Sequence, residues 1–408
     1  MEKYKKTNDY IKCSWEKAVR KNDCNKNFVL PYDFVPPCVD KGFVTLFYWD
    51  TYFTNKGLIA DGLAQYAYYN IENLKFCLKK FGCVPNFCRE DGADFASQPP
   101  LLVFMADDFY KVSQNKDFLS DSYGTLCDEY KFWMSERLAP NGLNCWGTNC
   151  TDENALLAFF NNVYAKRVGL DVGAMSRAEK LKFISDMMGE NESGEDFTPR
   201  FGGRAHCHCA VDLNGYLYGF ERTMARFCDI LANGEQEKWL SAAAERKILM
   251  EKYCLDKKTG VFFDYDYVNC RTTEIYCAAC YVPFAFGLSD DGIAVEKINS
   301  RILLDFGVSA CENIPSGGKK YQWGFPNSWA PHAYFAYTAN QLTGNAERAK
   351  EIAVKYLNNV DGEFNRSGKL FEKYDAACGG KATVNEYGTP EMLGWTAGVF
   401  KFFIEELF

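Results

Sequence analysis

The chain has 408 residues, 47% hydrophobic and 25% charged, an ordinary balance for a globular protein able to bury a sizeable core. Its net charge of -8, with no basic stripe, argues against a nucleic-acid partner, whose affinity comes mainly from Lys and Arg neutralising phosphates. No run of about 18 apolar residues occurs, so no membrane span is expected, and the N-terminus MEKYKKTNDYIKCSW lacks an apolar leader region, which predicts a cytoplasmic protein.

In chain order, Asn8–Arg20 reads as a short amphipathic helix ahead of a Pro-rich loop, LPYDFVPPCVDKG, and then FYWDTYF. From Ile59 the apolar positions Leu63, Ala67, Ile71, Leu74 and Leu78 recur at helical steps until Gly82 stops them. After the loop GCVPNFCRED, Pro99 and Pro100 open another helix, where missing amide hydrogens cost least, and Asp117–Arg137 forms the next. Leu138–Gly169 shows turn residues and no clear period. The loop SGEDFTPRF (Ser193–Phe201) then follows an acidic helix end.

Leu213, Tyr216, Leu217, Phe220, Met224, Phe227 and Leu231 form a helical stripe, and Glu235–Asp256 completes a hairpin with it. GVFFDYDYVNC is the best strand candidate. Further helices are expected at Glu274–Leu288, Asp291–Leu304, Ser328–Leu342, Asn345–Leu357 and Glu391–Leu407, with Ser328 as a cap and Pro331 in the first turn. About a dozen helices without a sustained strand set predict an all-α single domain. A solenoid would show a repeat of about 30 to 45 residues, which is absent, so a closed toroid or an irregular bundle remains.

The 18 cysteines are spaced without pattern and are expected as free thiols. Cys277 and Cys280 sit in an apolar run that reads as buried helix. The HCHC at His206–Cys209 has ligand-type residues, but neighbouring side chains diverge and no second cluster accompanies them, so no metal or other cofactor is expected. With only three histidines, proton transfer falls to carboxylates.

Several loops combine Trp, Asn, Gln and carboxylates, which suits a small neutral carbohydrate: aromatic faces cover the C–H surface of a sugar ring while amides and carboxylates take its hydroxyls. Glycoside cleavage needs two carboxyl groups, and Asp196 and Glu372 are plausible, as are Asp50, Glu90 and Asp375.

FYWDTYFTNKGLIADG resembles the YWDSYF signature of the trehalases, and YQWGFPNSWAP resembles their QWDYPNGWAP signature. VPN, SQPP, SGEDF, VDLN, EKYD, NEYG and GWTAGV follow the family's order, so the likeness covers roughly residues 43–403. The resemblance implies an (α/α)6 toroid over residues 43–408, with residues 1–42 as an N-terminal helix and loop packed on it. It implies an inverting α-glycoside hydrolase acting on trehalose or a related glucoside, with Asp196 as general acid and Glu372 as general base. Trp49, Asp50, Asn86, Gln98, Gly194 and Glu386 fall on sugar-binding positions, and Trp323, Asn327 and Trp395 in signature segments expected to line the cleft.

The departures are specific. Of the family's three arginines for the second glucose, one falls near Gly42, one is Ala96, and one has no counterpart between Leu143 and Asn162. Arg89, Arg167, Arg200 and Arg204 are candidates to fill the vacated space. Glu195 stands for the family Trp of SGWDF and Gly324 for the Asp of QWDYPNG. Were Glu195 to face the cleft beside Asp196, repulsion between them would raise one pKa. These departures leave two alternatives: a sugar-binding pseudoenzyme, or a glycosidase for another aglycone such as glucosylglycerate or kojibiose.

Overall fold

In a computed structural model, residues 1–21, 30–88, 95–165, 171–315, 321–385 and 387–408 are described. Helices α1 (Lys5–Ala18) and α2 (Tyr48–Ala60) open a series of outer and inner partners. The series continues with α3 (Ala64–Phe81) and α4 (Leu102–Ser113), then α5 (Lys116–Glu136). Two helices of an excursion follow, α6 (Glu153–Phe159) and α7 (Arg177–Ser193), before α8 (Val211–Leu231) takes the inner position. The rest are α9 (Gln236–Tyr253), the short α10 (Val282–Ala285), α11 (Gly292–Ile302), α12 (Ala330–Leu342), α13 (Ala346–Ser367) and α14 (Gly394–Leu407).

The inner helices α2, α4, α8, α10, α12 and α14 pack each against the next, and α14 closes the ring on α2. This is the (α/α)6 barrel. Closure depends on bare backbone: a Cβ on Gly398 would overlap the Phe53 carbonyl oxygen, and one on Gly57 would sit 2.8 Å from the Gly398 Cα. The outer helix α1 is tied to the barrel by Trp15 Nε1 donating to Asp61 (2.8 Å) and Thr7 Oγ1 donating to Asp361 (2.6 Å).

Most helices start and stop close to where periodicity places them, and the exceptions have physical causes. The helix expected from Ile59 to Gly82 begins only at Ala64 as α3, because Ile59 and Ala60 end α2 and Gly62, with a left-handed φ of 77°, makes the turn between them. Ser328 does not cap α12; it lies in a strand, and Trp329 stands at the helix start with no side-chain cap. The expected strand GVFFDYDYVNC contributes only Tyr265–Asp266, and Glu274–Leu288 is helical only over residues 278–285. Asn345–Leu357 falls short of α13, which runs on to Ser367 and is ended by Gly368.

Short antiparallel ladders bind the loops at one end of the barrel. Leu46–Phe47 pairs with Phe87–Cys88, and Asn327–Trp329 with Lys373–Asp375, in the register Trp329 opposite Lys373.

Candidate active site

A cavity of about 690 Å³ opens at the end of the barrel where the inner helices begin. Trp49 and Asp50 come from the first turn of α2 and Trp395 from that of α14; Gln98, Asp196, Trp323 and Glu372 come from loops that lead into inner helices. Helix N-termini therefore gather around the cleft, and their partial positive charge suits anionic side chains.

The loop carrying Asp196 is shaped by buried groups behind it. Gly194 ends α7 with φ 79°, and a Cβ there would come within 2.8 Å of the Trp49 ring, so both the turn and the close approach need glycine. The Glu190 carboxylate accepts from the amides of Phe197 (3.0 Å) and Thr198 (3.4 Å). Glu192, fully buried, takes a two-pronged bond from Arg137 (2.6 and 2.7 Å) and the amide of Ser97 (3.1 Å), which fastens SQPP to α7. Gln98 then accepts from the Trp49 amide at 3.1 Å.

Across the cavity, Trp323 stacks on Trp329 with centroids 3.6 Å apart, while Trp49 and Trp395 meet edge to face at 5.9 Å. Glu372 is held by three neighbours: Tyr387 Oη donates to Oε1 (2.7 Å), Lys373 Nζ to Oε2 (2.5 Å), and Trp395 Nε1 to the main-chain carbonyl (2.9 Å). Asp196 and Glu372 both line the cavity, and the charge on Asp196 acts on Glu372. Burial raises the Glu372 carboxyl, Lys373 and Tyr387 draw it down, and the net direction is up. Burial, and then the charge of Glu372, push Asp50 well above the usual carboxylate range.

Of the residues singled out in the sequence, Trp49, Asp50, Asn86, Gln98, Gly194, Asp196, Trp323, Glu372 and Trp395 all line this cavity. Asn327 does not: it is buried behind the wall, where its Nδ2 donates to the carbonyls of Gln322 and Val384, both at 2.7 Å. Glu386, Glu90, Arg89 and Arg167 lie outside the described residues. Asp375 caps a turn through the amides of Ala377 and Cys378.

Glu195 turns away from the cleft. It accepts from Arg200 Nη1 and His332 Nε2, both at 2.9 Å, and although burial alone would raise its carboxyl, these partners hold it at about 2. It is therefore not the like-charge neighbour of Asp196 within the cleft. Arg200 does not fill the space of the missing arginines either, since its guanidinium is shared by Glu195, Asp212 and Asp264. Arg204 pairs with Asp266. His206 lies against Asp186 and His208 bonds the Arg204 carbonyl, so the two histidines of HCHC face different partners.

Residue types and spacing did not single out the outer wall. Phe43, Phe47, Phe87, Phe95, Phe159, Tyr164, Asn191, Tyr387 and Met392 also line the cavity. Phe159 and Tyr164 come from the stretch without a clear period, where α6 runs into a π-helical turn and Tyr164 Oη bonds Asn191 at 2.6 Å. Tyr387 belongs to NEYG, so its motif was visible in the sequence, whereas its hydrogen bond to Glu372 was not.

Two buried acids near this end give the protein a pH signature. Glu190 and Glu129, the latter bonded by Tyr48, are both pushed up by burial to about 8 from an ordinary 4.5. The folded chain thus holds protons that the unfolded chain releases, so this stability is full below about pH 4.5 and is lost as pH rises through about 8. The thermal midpoint should fall between pH 5 and about 8.5, and Glu129→Gln should flatten part of that slope. A midpoint that rises over this range in wild type would contradict the assignment.

The trehalase family model matches residues 2–155 and 170–407. The periplasmic trehalase of Xanthomonas oryzae pv. oryzae is 28% identical over 422 residues, covering 96% of this chain and 72% of that protein. The periplasmic trehalase of Pseudomonas aeruginosa is 29% identical over 391 residues, covering 91% and 70%. The structure of the neutral trehalase of Saccharomyces cerevisiae superposes with a TM-score of 0.79 at 24% identity, over 98% of this chain and 80% of that one, which shows the shared fold. The names of the bacterial relatives overturn the cytoplasmic expectation, because they point to the periplasm.

Proposed function

The chain belongs to the trehalase family and is a glycoside hydrolase, and from that premise we propose that it cleaves trehalose with inversion, Asp196 acting as general acid and Glu372 as general base. The observation that carries this reading is the convergence of Asp196 and Glu372 on one cavity walled by Trp49, Trp323 and Trp395 and lined also by Asp50, Asn86 and Gln98. The indole faces suit the sugar ring, and the buried polar groups fix its orientation.

In this mechanism Asp196 gives its proton to the oxygen between the two glucose units as that C–O bond breaks. Glu372 takes a proton from a water molecule, whose oxygen attacks the anomeric carbon from the opposite face. The Tyr387 and Lys373 bonds orient the carboxylate for that task. The names of the relatives support trehalose as substrate, and they favour neither a pseudoenzyme nor glucosylglycerate or kojibiose.

Anomeric NMR during hydrolysis of trehalose tests the proposal. Inversion at one carbon should release one β-glucose and one α-glucose per turnover at early times. Release of α-glucose alone would replace inversion by retention, and absence of turnover with trehalose would remove it as the substrate.

A further inference from the structure

Lys373 is fully buried at the back of the cleft wall, an uncommon place for an ammonium group without a partner. Its Nζ lies 2.5 Å from Glu372 Oε2, 4.8 Å from the centroid of Trp329 and 4.6 Å from that of Tyr387. Among the described residues Glu372 is the carboxylate it pairs with. Adjacent residues of an extended strand ordinarily point to opposite faces, so a contact between neighbouring side chains requires the long lysine to fold back toward the glutamate.

The two oxygens of Glu372 are held differently. Oε2 meets the buried ammonium, whereas Oε1 accepts from Tyr387, whose ring lines the cavity and is partly exposed. Among the described residues, the charged and titratable groups that bear on Glu372 include Lys373 and Tyr387 in direct contact, Asp50 and Asp196 in the cavity, and the Cys38 thiol. Of these Lys373 is the cation. The carboxylates and the burial all favour a protonated Glu372, and a protonated carboxyl cannot accept a proton from water.

We propose that Lys373 and Tyr387 are the positioning residues of the hydrolytic step: the Lys373 ammonium keeps Glu372 ionised beside Asp50 and Asp196, and the Tyr387 hydroxyl aims its cavity-facing oxygen at the attacking water. The proposal rests on the reading of Glu372 as general base. In the step itself the water proton passes to Glu372, the water oxygen bonds the anomeric carbon, and the leaving oxygen keeps the bond pair and takes the Asp196 proton. Lys373 and Tyr387 exchange no proton with the substrate.

The test is the pH profile of kcat/KM for trehalose in wild type, Lys373→Met, Lys373→Arg, Tyr387→Phe and Glu372→Gln. Lys373→Met should lower kcat about 100-fold with KM little changed, and should move the acid limb upward by about one pH unit or more. Lys373→Arg, which keeps the charge, should return most of the limb to its place. Tyr387→Phe should lower kcat about tenfold with a smaller upward shift. An acid limb unmoved in Lys373→Met, with the loss confined to thermal stability or KM, overturns the proposal. Should that variant fail to fold, a Tyr387→Phe enzyme with unchanged kcat and an unmoved limb overturns it instead. Full activity in Glu372→Gln would remove the base assignment itself, whereas an inactive Glu372→Gln beside unmoved limbs removes only the proposal about its neighbours.

Discussion

Asp196→Asn should lower kcat for trehalose by about 10²- to 10⁴-fold while KM changes little, the range that a general acid contributes. At about 1.4 kcal/mol per decade this is roughly 3 to 6 kcal/mol of transition-state stabilisation. The reason is chemical: a glucose leaving group departs with difficulty as an alkoxide, and an amide cannot supply the proton. The substitution is nearly isosteric, and the loop is held by Glu190, Glu192 and Gly194 rather than by the Asp196 carboxyl alone, so the cavity should keep its shape. α-Glucosyl fluoride separates the roles, since fluoride leaves without protonation. Asp196→Asn should retain much of its activity on the fluoride, whereas Glu372→Gln should lose both substrates. Equal losses on trehalose and fluoride in Asp196→Asn would show that Asp196 is not the acid.

The second large effect concerns stability. Arg200 has no exposed side-chain surface and bonds Glu195 (2.9 Å), Asp212 (2.8 and 3.0 Å) and Asp264 (3.2 and 3.0 Å). Arg200→Leu would leave three buried carboxylates without that shared cation, and breaking one buried pair already costs about 3 to 5 kcal/mol. Against a total stability of about 5 to 15 kcal/mol, the variant should be unfolded or close to it at neutral pH. Arg200→Lys should rescue little, because one ammonium cannot replace a planar fork serving three acids.

The deficit of Arg200→Leu should shrink with acidification. Without the guanidinium the folded carboxyls titrate above their unfolded values, so the stability they contribute is present at low pH and lost as pH rises. Adding Asp264→Asn and Asp212→Asn should recover part of the midpoint. An unfolding free energy within about 1 kcal/mol of wild type for Arg200→Leu would show that the network carries little of the stability.

The consequence for the site is local. Glu195 is next to Asp196 in the chain, and its bonds to Arg200 and His332 anchor that stretch from the side opposite the cleft. His332 in turn meets Trp323 edge to face at 5.3 Å, so the same network reaches a tryptophan that lines the cavity. Loss of Arg200 should therefore loosen both the Asp196 loop and the Trp323 wall.

The sequence by itself determined the helices with sustained periodicity, because three- and four-residue spacing reports which face of a helix is buried whatever lies opposite. It also pointed to many of the side chains that line the cavity, since short motifs such as FYWDTYF, SQPP and EKYD carry residue identity without needing the fold. Tertiary structure alone decided the rest. Closure of the ring is a contact between Gly398 and Phe53, from opposite ends of the chain, which no local period encodes. The direction of Glu195 depends on the backbone of a loop and on two partners, one of them far along the chain at His332. Asn327 stands in a signature segment yet serves the wall from behind, because its strand pairs with Lys373–Asp375 and its amide is spent on backbone carbonyls. Phe159 and Tyr164 reach the cavity from a stretch with no readable period, and their place is set by the excursion between α5 and α8. Spacing along a chain reports the face of one element; which side chains meet across the cleft is decided only when those elements pack.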